Sequence, residues 1–148
     1  MANNDALVSS PQDEAAYRAI IDAVSTGQFH VLDELIAEGL LDHNPIPGQP
    51  PGRAGFVYWA ETARQAFPDL SGRVEDTVCG DGKVAGRVMW HGTHVGPFLG
   101  VSGTGVSLEF KAFHIVEFVS GQATQWWGTA DLLGALMQMG AGIRPPAT

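Results

Sequence analysis

His114 is the side chain in this sequence best suited to acid–base chemistry, because it stands in a row of carbon side chains. Strand side chains point alternately to the two faces of a sheet. In the segment 108–119, His114 therefore shares one face with Leu108, Phe110, Ala112, Val116 and Phe118. A histidine has its unperturbed pKa close to neutrality. If the row lines a cavity, His114 is the natural acid–base group; if it lines a packed core, it is a buried histidine that needs a partner or stays neutral.

A second set of candidates follows the strand predicted over residues 84–93, where Arg87, Met89 and His91 share one face. If that face points inward, Arg87 can hold a carboxylate or enolate through two hydrogen bonds. His91 would then stabilise a developing enolate, and Met89 would belong to an apolar wall. The alternative is that the face points outward, since an arginine buried without a partner is costly.

Aromatic residues supply the remaining candidates for substrate binding. Trp126 and Trp127 are adjacent on a predicted strand, so only one can face a pocket, and we expect Trp126 inside, where it can stack on a flat ligand. The predicted binding set is completed by Phe110, Trp59 and His43. An aromatic helix face such as that of Trp59 is also typical of a core. His43 lies in the polar triplet 42–44, which can orient His114 or form an Asx turn.

The elements that must position these residues follow from apolar spacing and turn signals. Helices are predicted over about 11–26, 29–37 and 53–67, the first with Ser10 as its N-cap and the last ended by Pro68. Strands are predicted over 71–79, 84–93, 108–119 and 122–128, followed by a helix over about 131–139. Three helices followed by a four-stranded antiparallel meander indicate an α+β fold. We expect one domain over 1–148, with its core in about 12–140 and loose termini.

Composition excludes several classes of function. Of 148 residues, 45% are hydrophobic and 16% charged, with a net charge of −8, which opposes binding to nucleic acid or an anionic membrane. The single cysteine and scattered histidines predict no metal site. The sequence has no phosphate-binding loop, nucleophile elbow or dinucleotide fingerprint, so no cofactor is expected. It also lacks a signal peptide and an apolar run of the roughly 20 residues that a membrane helix needs, and we expect a cytoplasmic protein.

Four local patterns, taken in order along the chain, are similar to those of one known family. They are DHNP at 42–45, AFPDL at 66–70, GTHVGPFLG at 92–100 and GQATQWW at 121–127. In order and spacing they resemble the SnoaL-like polyketide cyclases, or ester cyclases, over about residues 12–140. The resemblance implies the nuclear-transport-factor-2-like cone fold, in which helices close a curved antiparallel sheet around a deep pocket.

Two positions depart from the family pattern at the expected site. The inward catalytic aspartate of the family aligns with His114, and the usual Glu-His-Trp of the last strand is here Gln125-Trp126-Trp127. The resemblance thus implies a cofactor-independent enzyme that acts on an apolar or aromatic carbonyl-bearing substrate, by aldol-type ring closure or a related isomerisation. Here His114 would be the acid–base group, with Arg87 and His91 as enolate stabilisers.

Two other functions are compatible with the same fold. An epoxide hydrolase needs a water held by carboxylates and an arginine, and the sequence offers Arg87 but a histidine in place of a carboxylate. A non-catalytic binding or assembly module is favoured by the loss of the family's aspartate and histidine. The face that carries Phe113 and Ile115 mixes apolar and charged residues, and we expect a homodimer through this outer sheet surface.

Overall fold

The computed structural model describes residues 10–142 and residue 147. In that part of the chain the helices are α1 (Pro11–Thr26), α2 (Leu32–Leu35), α3 (Gly52–Ala66) and α4 (Leu132–Gln138), with a 3-10 turn over Phe29–Val31. The strands are β1 (Ile36–Asp42), β2 (Ser71–Gly80), β3 (Lys83–Thr93), β4 (Ser107–Val119) and β5 (Gln122–Ala130).

Helix α1 begins and ends where its sequence signals lie. The Ser10 side chain accepts a hydrogen bond from the Asp13 backbone N–H at 3.3 Å, and the helix ends at Gly27, whose φ of 73° is left-handed. Its buried face includes Tyr17, Ile20, Ile21 and Val24. This face covers the sheet, which puts Tyr17 directly against the middle strands.

The sheet has the strand order β1-β5-β4-β3-β2, and β2 to β5 form the predicted antiparallel meander. The prediction of a second helix over residues 29–37 is wrong at its end. Ile36 begins strand β1 instead, and this strand pairs in parallel with β5, where Ile36 faces Ala123 and Asp42 faces Trp126. Pairing with β5 gives the backbone groups of this segment hydrogen-bond partners, whereas a short helix is only marginally stable.

The sheet is curved and unclosed, and helices cover its concave face, as the α+β cone prediction required. Alternation along β4 separates the two faces: Leu108, Ala112, His114 and Val116 are buried, while Glu109, Lys111, Phe113 and Ile115 are exposed. We call these the inner and outer faces of the sheet. The inner face packs on α1 and α3 and encloses the core together with the cavity described next.

Candidate active site

A cavity of about 310 Å³ lies between α3 and the inner face of the sheet. Its volume is at the low end of the ~300–1,000 Å³ typical of small-molecule sites. Seven aromatic side chains line it, and His114 and Asp42 bring titratable groups to it; the aromatic lining consists of Phe56, Trp59, Phe67, Trp90, Phe98, Phe110 and Trp126. Such a wall suits a ring system with a few polar groups.

His114 reaches this cavity from the middle of β4, and its ring is held from behind by α1. The Tyr17 hydroxyl lies 2.8 Å from Nδ1 of His114. Within the described residues Nε2 has no hydrogen bond, yet it is not among the buried polar atoms that lack a partner. The free nitrogen is therefore not fully buried, and His114 lines the cavity, as a group that acts on a ligand there must.

Two glycines make room for this arrangement. Gly86 on β3 and Gly128 on β5 are the cross-strand neighbours of His114. A Cβ on Gly86 would overlap the Tyr17 hydroxyl and ring, and one on Gly128 would lie 3.1 Å from the His114 ring and from the Trp126 indole nitrogen. Because Gly86 has no side chain, Tyr17 can pack directly on β3 and hydrogen-bond to the His114 imidazole.

Burial sets the charge state of both partners. Loss of hydration lowers the pKa of His114 from 6.5 to about 4 and raises the pKa of the Tyr17 hydroxyl above its usual range. Near neutral pH the imidazole is thus uncharged and the hydroxyl keeps its proton. The two groups form a neutral pair in the cavity wall.

Trp126 packs beside both members of this pair, with ring centroids 5.0 Å from His114 and 6.1 Å from Tyr17. It faces inward as predicted, and Trp127 faces outward. Phe110 on β4 and Trp59 on α3 also line the cavity. Their contact with a ligand remains a prediction. Tyr17 of α1 contacts His114 but does not itself line the cavity.

Arg87, Met89 and His91 do not line this cavity, and their roles in substrate binding and catalysis remain predictions. Along β3 the buried positions are Val84, Gly86, Val88, Trp90 and Gly92, so the three candidates face outward. The Arg87 guanidinium binds Glu75 at 2.6 Å, and His91 contacts the Ser107 hydroxyl at 3.1 Å. Val88 and Trp90 gain more from burial than an arginine, whose charge can stay in water on the outer face.

The exposed His43 ring also lies outside the cavity lining, so its binding role remains a prediction. It stacks on Trp127 with ring centroids 4.3 Å apart, and its Nε2 is 2.9 Å from the Gln125 side-chain oxygen. Trp127 is the outward member of the tryptophan pair, and it holds His43 on the outer side.

Asp42 brings a carboxylate to the cavity rim. One of its oxygens accepts the Asn44 backbone N–H at 2.9 Å, an Asx turn, and the other accepts the Gln49 side-chain N–H at 2.8 Å. Asn44 in turn accepts the Gly128 backbone N–H at 3.0 Å, which ties this rim to the strand beside His114. The carboxylate is therefore fixed in place while it lines the cavity.

The glycine-rich loop between β3 and β4 covers one side of the cavity. Phe98 and Val101 form an isolated bridge at its tip, and the backbone N–H groups of Val95 and Gly96 bind the Ala66 carbonyl at the end of α3. Phe98 and Leu99 line the cavity. Leu99 and Leu132, which also lines the cavity, are both more than a third exposed.

The sequence did not single out Tyr17, although this residue is the hydrogen-bond partner of His114. The available signal was its hydroxyl, which a buried tyrosine must satisfy. No local pattern identified the acceptor, 97 residues away. Within residues 10–142, no cluster of three metal-ligating side chains is present.

Comparison with known proteins assigns this chain to a family. The family model described as SnoaL-like polyketide cyclase matches residues 14–139. The chain belongs to the SnoaL-like polyketide cyclase family. Aklanonic acid methyl ester cyclase DauD of Streptomyces sp. (strain C5) is 28% identical over 138 residues, covering 88% of this chain and 83% of that protein. The corresponding DnrD of Streptomyces peucetius is 27% identical, covering 83% and 87%.

Solved structures agree with the family assignment. TsrD from Streptomyces laurentii superimposes with a TM-score of 0.83 at 25% identity, covering 90% of this chain and 98% of that one. IdmH from Streptomyces antibioticus gives a TM-score of 0.77 at 28% identity, covering 88% and 99%. Among the described residues, no helix has the length and apolar character needed to cross a membrane.

Proposed function

We propose that this protein catalyses a cofactor-independent ring closure, of aldol type or a related isomerisation, on an apolar carbonyl-bearing substrate. The observation that carries the proposal is the neutral His114 ring, whose free nitrogen opens into an aromatic cavity in a chain of the cyclase family. The two curated relatives carry the name aklanonic acid methyl ester cyclase, which favours a polycyclic ester of that chemical class.

The cavity supplies what such a reaction requires. Its aromatic walls exclude water and hold a flat ring system, so that the reacting carbon and carbonyl are brought together. In a site of low polarity, a hydrogen bond to an oxygen that gains negative charge is stronger than in water. His114 is the polar group inside this wall, and Asp42 is at its rim.

We expect the protein to exchange the acidic α-proton of its substrate with solvent and to form a cyclised isomer. Aklanonic acid methyl ester in D₂O is a suitable first probe, followed by mass spectrometry of recovered substrate and product. An enolate-forming enzyme incorporates deuterium at the α-carbon faster than buffer does. If the ester binds but neither exchanges nor cyclises above the buffer rate, the protein is a binding module towards this class of compound.

The epoxide hydrolase alternative loses its main support. That chemistry needs an arginine beside the reacting water, and no arginine is found among the described residues that line the cavity. Arg87, the residue predicted for this role, pairs with Glu75 on the outer face.

We also propose that the outer face of the sheet packs against a second copy of the chain to form a homodimer. Val78, Phe113 and Ile115 are 70%, 52% and 47% exposed there, an apolar surface unusual for a monomer. Light scattering at micromolar concentration should give twice the chain mass, and Ile115→Lys should give the monomer while preserving the far-ultraviolet circular dichroism. A wild-type monomer under these conditions would contradict the homodimer without affecting the fold.

A further inference from the structure

The direction of the hydrogen bond between Tyr17 and His114 decides which ring nitrogen of His114 carries the proton. Tyr17 is fully buried, and among the described residues its hydroxyl has one partner, Nδ1 of His114. A buried hydroxyl proton with no acceptor bears the full desolvation penalty of that donor. If Nδ1 carried a proton and donated to the tyrosine oxygen, the hydroxyl proton would have no acceptor. Tyr17 therefore donates, and Nδ1 accepts.

This polarity fixes the position of the imidazole proton. A neutral imidazole carries one N–H, so a ring that accepts at Nδ1 has its proton on Nε2. Nε2 is not fully buried, and His114 lines the cavity, so a ligand oxygen or water there can accept its proton. His114 in this state offers a hydrogen bond and has no free lone pair for removing a proton.

We infer that Tyr17 is a positioning residue that locks His114 as a neutral hydrogen-bond donor towards the substrate carbonyl, and that Asp42 is the general base. The inference rests on the proposed function, which it deepens by dividing the acid and base roles between two residues. Asp42 is the one carboxylate among the described residues that line the cavity. Each of its oxygens accepts one protein hydrogen bond, from Asn44 or Gln49, and retains a lone pair.

The reaction balances with these groups alone. Asp42 takes the α-proton, and the electrons of the broken C–H bond form the enolate, whose oxygen accepts the hydrogen bond from Nε2 of His114. The enolate carbon then attacks the second carbonyl; a C–C bond forms, and the π electrons of that carbonyl move to its oxygen. This alkoxide takes the proton back from the Asp42 carboxyl group, which leaves a cyclised isomer and the carboxylate restored.

The tautomer can be measured without any substrate. In uniformly ¹⁵N-labelled protein at neutral pH, long-range ¹H–¹⁵N correlation of the histidine rings identifies which nitrogen is protonated, and His114→Gln assigns the His114 signals by their disappearance. We expect Nε2–H alone in the wild type, and an upfield-shifted, proton-bearing Nδ1 population in Tyr17→Phe. A wild-type ring with its proton on Nδ1 would overturn the inference, and would leave the proposed function in place with His114 as the base.

The role of Asp42 is tested separately by α-proton exchange. Asp42→Asn should lower the rate of deuterium incorporation about 10²–10⁴-fold, whereas Asp76→Asn, an exposed carboxylate on β2, should leave it unchanged. Asp42→Asn with wild-type exchange would exclude Asp42 as the base even if the ring tautomer is as inferred. A wild-type protein inactive on the probe contradicts the proposed function instead, and the tautomer measurement stands apart from that result.

Discussion

Replacing His114 with alanine is expected to lower turnover of the cyclisation substrate about 10²–10³-fold, the usual contribution of one hydrogen-bond donor to an oxygen that gains negative charge. The ring is the polar group in the inner-face row of β4, and its Nε2 opens to the cavity. Its loss removes the hydrogen bond to the carbonyl oxygen, where negative charge develops. The fall should appear in kcat rather than in KM alone, because this interaction strengthens in the transition state.

His91→Ala is the matched control for this experiment. It removes the same side chain from the outer face of the neighbouring strand, where His91 is exposed and its ring hydrogen-bonds with Ser107. This variant should keep wild-type turnover. Equal activity in folded His114→Ala and wild type, judged by near-ultraviolet circular dichroism and steady-state kinetics, would end the assignment of His114.

The second large effect concerns stability in mild acid. The pKa of His114 is about 4 in the folded protein against 6.5 for an exposed histidine. Between these values the unfolded chain binds a proton that the folded chain does not bind. The contribution of neutral His114 to the free energy of unfolding is therefore fully present above pH 6.5 and falls as pH drops towards 4. The loss amounts to about 2 kcal/mol between pH 7 and 5, and to about 3 kcal/mol over the whole window.

Urea unfolding at several pH values measures this loss directly. The midpoint should decrease from pH 7 to 5 in the wild type and in His91→Gln, and much less in His114→Gln. Hydrogen bonds lower the pKa of four carboxyl groups, those of Glu14, Asp69, Glu75 and Glu117, from ordinary values that already lie below pH 5. A wild-type midpoint that does not change between pH 7 and 5 would mean that the folded His114 ring takes up a proton as readily as an exposed one.

The sequence predicted the inner position of His114 because β4 alternates without interruption over its whole length. It did not predict which face of β3 is buried. Gly86 and Gly92 interrupt the apolar row at two of its five buried positions, and the opposite row carries Ala85 and Met89 among its polar side chains. The pairing of Gly86 with His114 puts these two residues on the same face of the sheet, which makes the row with Val84, Val88 and Trp90 the inner one.

Contacts distant in sequence account for the rest of what was missed. Strand β1 exists through parallel pairing with β5, more than 80 residues later, and its short apolar segment is equally compatible with a helix. The contact between Tyr17 and His114 depends on the register of three strands and on the glycine gap at position 86. Nothing near Tyr17 in the chain encodes that register.

The alternation of β4 also affects how such a protein can diverge. Even-numbered positions such as 110, 112 and 114 contact the cavity, whereas odd-numbered positions such as 109, 111, 113 and 115 meet the outside. A substitution at an even position reshapes the ligand site and leaves the exterior of the strand intact; one at an odd position does the reverse. Selection can therefore retune specificity and surface independently on a single strand, which suits a scaffold kept at a TM-score of 0.83 while only 25% of its residues are shared.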